Sequence, residues 1–261
     1  MNKHMLVFSA ITPHPPIIIP GIGQGDDLDA VEKTIRAMEE LAKEFEKADP
    51  DTAVVISPHA PLDIYAFSIN VNKKTTGSLL NFGLDKKFEF QSDTATIGSI
   101  ENIASKNNIP ISLHEQLLDH GTLVPLYYLA KKKSPELISL SFSFLNLRSH
   151  YDYGKLLGEV FRRSGKKIAV IASGDMSHRL IQGAPAGYSP RGKEFDKKLI
   201  QLLEKGDTEG ILSLDEDFIE EAGECGLRSF VILLGILEGH FKFKKLSYEG
   251  PFGVGYLVAK A

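Results

Sequence analysis

Histidine is the residue type that says most about chemistry in this chain. There are eight, and three follow short apolar runs directly: His14 in SAITPHPP, His59 in VVISPHAP and His178 in VIASGDMSHRL. In an open α/β sheet, the residues just past the carboxyl ends of the strands line the ligand crevice. One histidine in such a place is more often a packing residue. Three strands delivering an imidazole to one edge point instead to a site. Prolines flank His14 and His59 and restrict the backbone on either side, which suits metal coordination because a ligand must not wander. His120, in LLDHGTLVPL with Asp119 before it, lies in a loop ahead of an apolar helix start. It is a candidate for acid–base work, or else an ordinary capping-loop residue. His4, His114, His150 and His240 read as solvated or structural.

Two imidazoles ask for a carboxylate, since non-haem Fe(II) oxygenases use two histidines and one Asp or Glu and leave positions open. The segment EEAGECGLRSF supplies Glu224 between two backbone breaks, Gly223 and Gly226. On local sequence alone, Glu224 reads first as favourable charge at a helix N-terminus. Asp175, in SGDMSH, is a rival carboxylate that reads as orienting His178 or capping a turn. Tyr188, in a Gly/Pro-containing loop, is a candidate pocket residue and as readily a surface tyrosine. Other motif classes fail. With one cysteine, Cys225, a thiolate zinc site is excluded apart from that residue itself. GIGQG (21–25) misplaces the third glycine of a dinucleotide loop, and neither a P-loop nor a GxSxG elbow is present. The run Lys131, Lys132, Lys133 suits a solvated helix end.

The elements that must position these residues are short buried strands alternating with longer helical stripes. MLVFSAI (5–11), TAVVIS (52–57), LISLSFS (137–143) and KIAVIAS (167–173) predict strands, two of them stopped by proline. Residues 27–47 carry a helical apolar stripe, and further helices are expected near 94–107, 123–130, 151–163, 192–204, 207–213 and 227–239. Residues 64–90 alternate polar and apolar and predict antiparallel strands outside a parallel core. PISL (110–113) and two strands at the C-terminal end complete the set, with a polar loop over 180–191. The pattern is that of a single α/β domain over 1–261, with a mixed, largely parallel central sheet and helices on both faces.

Composition sets the outer bounds. The 261 residues are 43% hydrophobic and 25% charged, as in an ordinary globular chain. With 30 Lys+Arg against 34 Asp+Glu, net −4, the basic excess of a nucleic-acid partner is missing. No apolar run approaches the roughly 18 residues that span a bilayer, the start of the chain lacks a signal-peptide pattern, and one cysteine fits a reducing compartment. The expectation is a cytoplasmic protein acting on a small molecule, with a homodimer formed through the 64–90 segment.

Taken together, TPHPP, SPHAP, LDHGTLVPL, GDMSH and AGECGLRSF resemble, in order and spacing, the class III extradiol ring-cleavage dioxygenases of the LigB type. The stretch after GDMSH, including GAPAGYSPRGKEFD, is also similar to the Memo-like branch of that superfamily, which keeps the fold without an established dioxygenase activity. The resemblance implies that His14 and His59 are iron ligands, with Glu224 as the carboxylate ligand. It implies that His178 is the acid–base histidine and His120 a second proton-handling residue. It further implies Fe(II)-dependent extradiol cleavage of a catechol-type ring with O2. The Memo-like branch places a cysteine near Glu224, so Cys225 is the alternative ligand, and a soft thiolate favours zinc or copper(I). A Memo-like metal-binding protein and a Zn2+-dependent hydrolase are the competing readings.

Overall fold

In chain order the elements are β1 (Leu6–Thr12), α1 (Asp26–Ala30), α2 (Glu32–Ala48), β2 (Thr52–Ile56), β3 (Phe67–Asn70), β4 (Lys74–Ser78) and β5 (Lys87–Gln91). Then come α3 (Thr94–Lys106), β6 (Ile111–His114), α4 (His120–Leu129), β7 (Glu136–Ser141), α5 (Leu147–Arg163) and β8 (Ile168–Ser173). The chain continues with α6 (Pro190–Lys205), α7 (Thr208–Leu212), α8 (Glu216–Ala222), α9 (Leu227–Leu237), β9 (Lys244–Glu249) and β10 (Tyr256–Lys260). The structure is a computed structural model that describes residues 6–239 and 241–261. His4 and His240 lie outside the described residues.

Among the described residues, eight strands form one sheet in the order β6-β3-β7-β2-β8-β1-β10-β9. β7, β2, β8 and β1 run parallel; β3 meets β7, and β10 meets β1, in antiparallel fashion. β2 and β8 are buried along their whole length, because alternate side chains feed cores on opposite faces. Val54, Ile56, Val170 and Ala172 pack with α3, α5, α6 and α9. Ala53, Val55, Ala169 and Ile171 pack with α2 and α4. Each buried Val or Ile contributes about 1.5–3 kcal/mol relative to exposure, so the strands that carry the histidines sit in the best-anchored part of the sheet.

In α9, Arg228 is the one residue that is not buried. α9 can lie against α5 because a Cβ on Gly154 would fall 2.2 Å from the Ile232 carbonyl, and one on Gly235 would fall 2.1 Å from that of Tyr151. Only glycines permit that crossing. No helix among the described residues is long and apolar enough to cross a membrane.

Two expectations need correction. The stripe over 27–47 is not one helix: Val31, at φ −113° and ψ 18°, breaks it. The break lets Glu249 accept both the Thr34 amide and its hydroxyl, capping α2 from β9. The 64–90 segment is also not wholly outside the core. β4 and β5 form a separate antiparallel pair, but β3 enters the main sheet between β6 and β7. Its polar residues are buried rather than solvated, and Asn70 is satisfied by donating to the Gln116 carbonyl. Alternation therefore marked a strand there without marking a wet face.

Candidate metal centre

β2, β8 and β1 are neighbours, so their carboxyl ends deliver His59, Asp175 and His14 to one place. The Nε2 atoms of His14 and His59 lie 3.0 Å apart. His14 is 2% exposed, and its Nδ1 lies 3.0 Å from Ser173 Oγ. That hydroxyl donates its own proton to the Gly121 carbonyl at 2.6 Å, so it accepts from Nδ1–H. His14 Nε2 is thereby left as a bare lone pair, the form a metal ligand needs. His59 is exposed at the mouth, with its amide donating to Ser57 Oγ, which donates to Asp119. Asp119 also caps α4 by accepting the Thr122 amide. The helix consequently starts at His120, earlier than its apolar run suggests. The His120 ring stacks on His59 at 4.1 Å, with Phe82 on it at 5.3 Å.

A second set of donors reaches His14 from the other side. Cys225 Sγ and Asp175 Oδ2 each lie 3.8 Å from His14 Nε2. Asp175 Oδ1 accepts the His14 amide at 3.0 Å, and the Asp175 amide points at Cys225 Sγ at 3.2 Å. The strand end and the α8–α9 junction meet without clearance, since a Cβ on Gly174 would fall 2.1 Å from Gly226 Cα. His178 Nε2 is 4.0 Å from Asp175 Oδ2. Its loop is clamped from below: Asp196 accepts the Ser177 amide at 2.8 Å and the Tyr248 hydroxyl at 2.6 Å.

Burial dominates the electrostatics. It holds His14 well below the usual histidine range, and the neighbouring His59, His120 and His178 push the same way. His120 falls to about 4 through desolvation and then His59, against the opposing pull of Asp119. Desolvation also lowers His178, although the Gly223 and Met176 backbone oppose it. Burial raises Asp175 to about 7, opposed by the His14 amide, and it raises the Cys225 thiol. The centre thus gathers neutral imidazoles, a carboxyl that ionises near neutrality and a protonated thiol.

Among the described residues, two groups hold ligand atoms within 4.8 Å of one another: His14, His59 and His120, and His14, Asp175 and Cys225. His14 belongs to both. Its unprotonated Nε2, ringed by imidazole, carboxylate and thiol, fits a mononuclear transition metal.

Glu224 belongs to neither group, and this corrects the expectation that it completes the triad. Its carboxylate turns back to accept the Leu227 amide at 2.6 Å, as an N-terminal cap of α9, and its other oxygen lies 4.0 Å from Arg228. In the broken backbone between Gly223 and Gly226, adjacent side chains point opposite ways, and Cys225 takes the inward one. Tyr188 is 47% exposed and makes none of the hydrogen bonds or ring contacts of the centre. Asp175, the rival carboxylate that the sequence reads as orienting His178 or capping a turn, is the carboxylate that reaches His14. Ser173 carried no signal beyond its place at the end of a buried strand. His150 is structural, with its ring nitrogens on the Asn146 and Ser143 carbonyls.

A family profile described as the catalytic LigB subunit of aromatic ring-opening dioxygenase matches residues 9–259. Protein CA_C1420 of Clostridium acetobutylicum is 34% identical over 96% of this chain, and the chain spans only 56% of that relative's length. The 3,4-dihydroxyphenylacetate 2,3-dioxygenase of Escherichia coli is 24% identical, with 84% of each chain covered. The 2-aminophenol 1,6-dioxygenase beta subunit of a Pseudomonas species is 22% identical, over 85% of this chain and 82% of that one. The crystal structure of the uncharacterized protein JW3007 from Escherichia coli K12 shares the fold, with a TM-score of 0.68 at 16% identity over 97% of this chain and 98% of that one.

Proposed function

The chain belongs to the LigB family, and from that premise we propose that it is a metal-dependent dioxygenase that opens a catechol-type aromatic ring with O2. The observation that carries the reading is the pair of Nε2 atoms 3.0 Å apart past the ends of β1 and β2, which flank β8, with Asp175 and His178 beside them. His14 and His59 would hold Fe(II), with the third donor from Asp175 or Cys225. Bound there, Fe(II) supplies open positions where a catecholate and O2 are brought together and oriented, and it relieves the spin mismatch that makes their direct reaction slow. The chain's own groups handle the protons. His178, neutral through burial and outside the candidate ligand groups, would take a hydroxyl proton from the diol at Nε2 and later return a proton to the opened product. His120, against His59, is the second proton-handling group and excludes water from that side together with Phe82. This reading places the reaction in the cytoplasm, where a lone thiol stays reduced.

The test is anaerobic loading with Fe(II), followed by O2 and a panel of catechols. Uptake of one O2 per ring, with a yellow ring-opened product, supports the reading, and no uptake with any diol overturns it. Exposed Leu80 and Phe82 between β4 and β5 make that hairpin the surface for a second copy. Light scattering that gives a 28.7 kDa species counts against it.

One observation favours a second reading. Cys225 lies where a carboxylate was expected and Glu224 points away, a donor set suited to zinc or copper(I) in a metal-binding protein of the Memo-like kind. Under that reading, Cys225→Ser abolishes tight copper(I) binding. Under the dioxygenase reading with Asp175 as the third donor, Fe(II)-dependent turnover survives the substitution.

A further inference from the structure

Ser173 closes β8 and is fully buried. It pairs with Thr12 across β8 and β1, so it lies beside the strand end from which His14 departs. Its single hydroxyl proton goes to the Gly121 carbonyl at 2.6 Å, and the same oxygen lies 3.0 Å from His14 Nδ1. A carbonyl can only accept, so the direction of the first bond is fixed, and the hydroxyl has only lone pairs left to offer Nδ1. The tautomer of His14 is therefore decided one bond further back, by whatever keeps the Gly121 carbonyl available.

In a regular α-helix that carbonyl would be occupied. Gly121 is the second residue of α4, and its carbonyl would accept the amide four residues on. That residue is Pro125, which has no amide proton. The pyrrolidine ring also crowds the carbonyl four residues before it and pushes it off the helical direction. Proline in a helix interior is unfavourable, and here it sits buried in a helix of only 10 residues. What it leaves is one buried carbonyl without a helical donor, and Ser173 supplies the donor. The same turn is fitted to the second imidazole. A Cβ on Gly121 would fall 2.4 Å from Ser57 Oγ, 2.9 Å from Asp119 Oδ1 and 3.3 Å from His59 Cδ2, so only glycine lets the start of α4 close against the His59 loop.

We propose that Pro125 is a positioning residue for the metal centre. By withholding an amide from Gly121 it directs the Ser173 hydroxyl, and that hydroxyl holds His14 as its Nδ1–H tautomer, with Nε2 bare toward His59, Asp175 and Cys225. Pro125 acts through two intermediaries, Gly121 and Ser173, and the interior proline of α4 is retained for the lone pair it secures at the strand end. The proposal rests on the metal-binding half of the reading above and is independent of which ring is opened.

The tautomer is read on the metal-free full chain by long-range proton–nitrogen NMR correlation of the imidazoles, with His14 assigned from the signals that His14→Gln removes. The parent should show a protonated Nδ1 and a bare Nε2 at His14. Ser173→Ala should lose that preference and weaken Zn2+ binding, measured against a competing chelator, by about 10–100-fold, the usual cost of removing the hydrogen-bond partner of a ligating imidazole. Ser173→Thr, which keeps the hydroxyl, should restore both. Pro125→Ala supplies the missing amide and returns the carbonyl to the helix. It should shift the tautomer and weaken zinc in the same direction, although alanine is the better helix former, and it keeps the test available if Ser173→Ala does not fold. A parent with the proton on Nε2, or a tautomer and zinc affinity that survive Ser173→Ala or Pro125→Ala, overturns the proposal. A parent that holds the Nδ1–H tautomer through Ser173 and binds no zinc would leave the tautomer device standing and remove the metal reading.

Discussion

Asp93 and Asp175 are the same residue type, both buried, at 1% and 4% exposure, at opposite ends of the same sheet. At the amino edge, burial alone would raise Asp93, but Lys166, Thr96 and Thr52 all donate to it and hold its carboxyl below the usual range. Asp93 also caps α3 and lies 2.8 Å from Lys166 Nζ. At the carboxyl edge, Asp175 has the His14 amide and no cation in a comparable place, and burial raises it to about 7. The amino edge spends its polar groups on one another. The carboxyl edge leaves lone pairs and protons uncommitted, the condition a ligand requires. The difference separates the part of the sheet whose polar groups hold the fold from the part whose polar groups are left free for a ligand.

That contrast can be broken in several ways. The largest effect belongs to His178. Its replacement by alanine should lower turnover by about 10²–10⁴-fold, the range for a removed general acid or base, while metal content stays near that of the parent. If metal is lost as well, His178 is a ligand and the division of labour fails. Next, Asp93→Ala should destabilise the protein by about 1–3 kcal/mol, because it uncaps α3 and leaves the buried Thr52 and Thr96 hydroxyls without their acceptor, while Lys166 keeps Glu136. Denaturant unfolding checks this, with turnover per folded molecule unchanged.

Asp196 supplies the smallest effect and a third carboxyl for comparison. Burial raises it to about 6 despite the Tyr248 and Ser177 bonds, so the fold favours its protonated form. The native state then holds a proton that the unfolded chain has released between about pH 4 and pH 6. The Asp196 contribution is therefore present below that window and is lost as pH rises through it, by no more than about 3 kcal/mol. Asp196→Asn should flatten the stability–pH curve there. An unchanged curve would mean that Asp196 titrates normally and does not tension the His178 loop.

Much of this arrangement was legible in the sequence, and for physical reasons. A run such as KIAVIAS, apolar on both faces, has little choice but a central strand, and the residues next after it must lie at the sheet edge. His14, His59 and His178 were located in that way. The choice between Glu224 and Cys225 stayed open, because they are neighbours in an irregular turn. Which of them points inward depends on backbone angles set by the Gly174–Gly226 contact, between residues 52 positions apart. Asp175 was visible as a rival carboxylate and as a partner of His178, and it stands near both His14 and His178; one dimension does not separate the two roles. β3 was misjudged because its buried polar residues depend on partners such as Gln116 that periodicity does not reveal.

The most direct measurement of the central claim is metal stoichiometry after anaerobic reconstitution with Fe(II) and desalting, for the parent, His14→Ala and Asp93→Ala. The account predicts one metal per chain in the parent, essentially none in His14→Ala, and one per folded chain in Asp93→Ala even though that variant is the least stable. Metal retained without His14, or lost with Asp93, would contradict it.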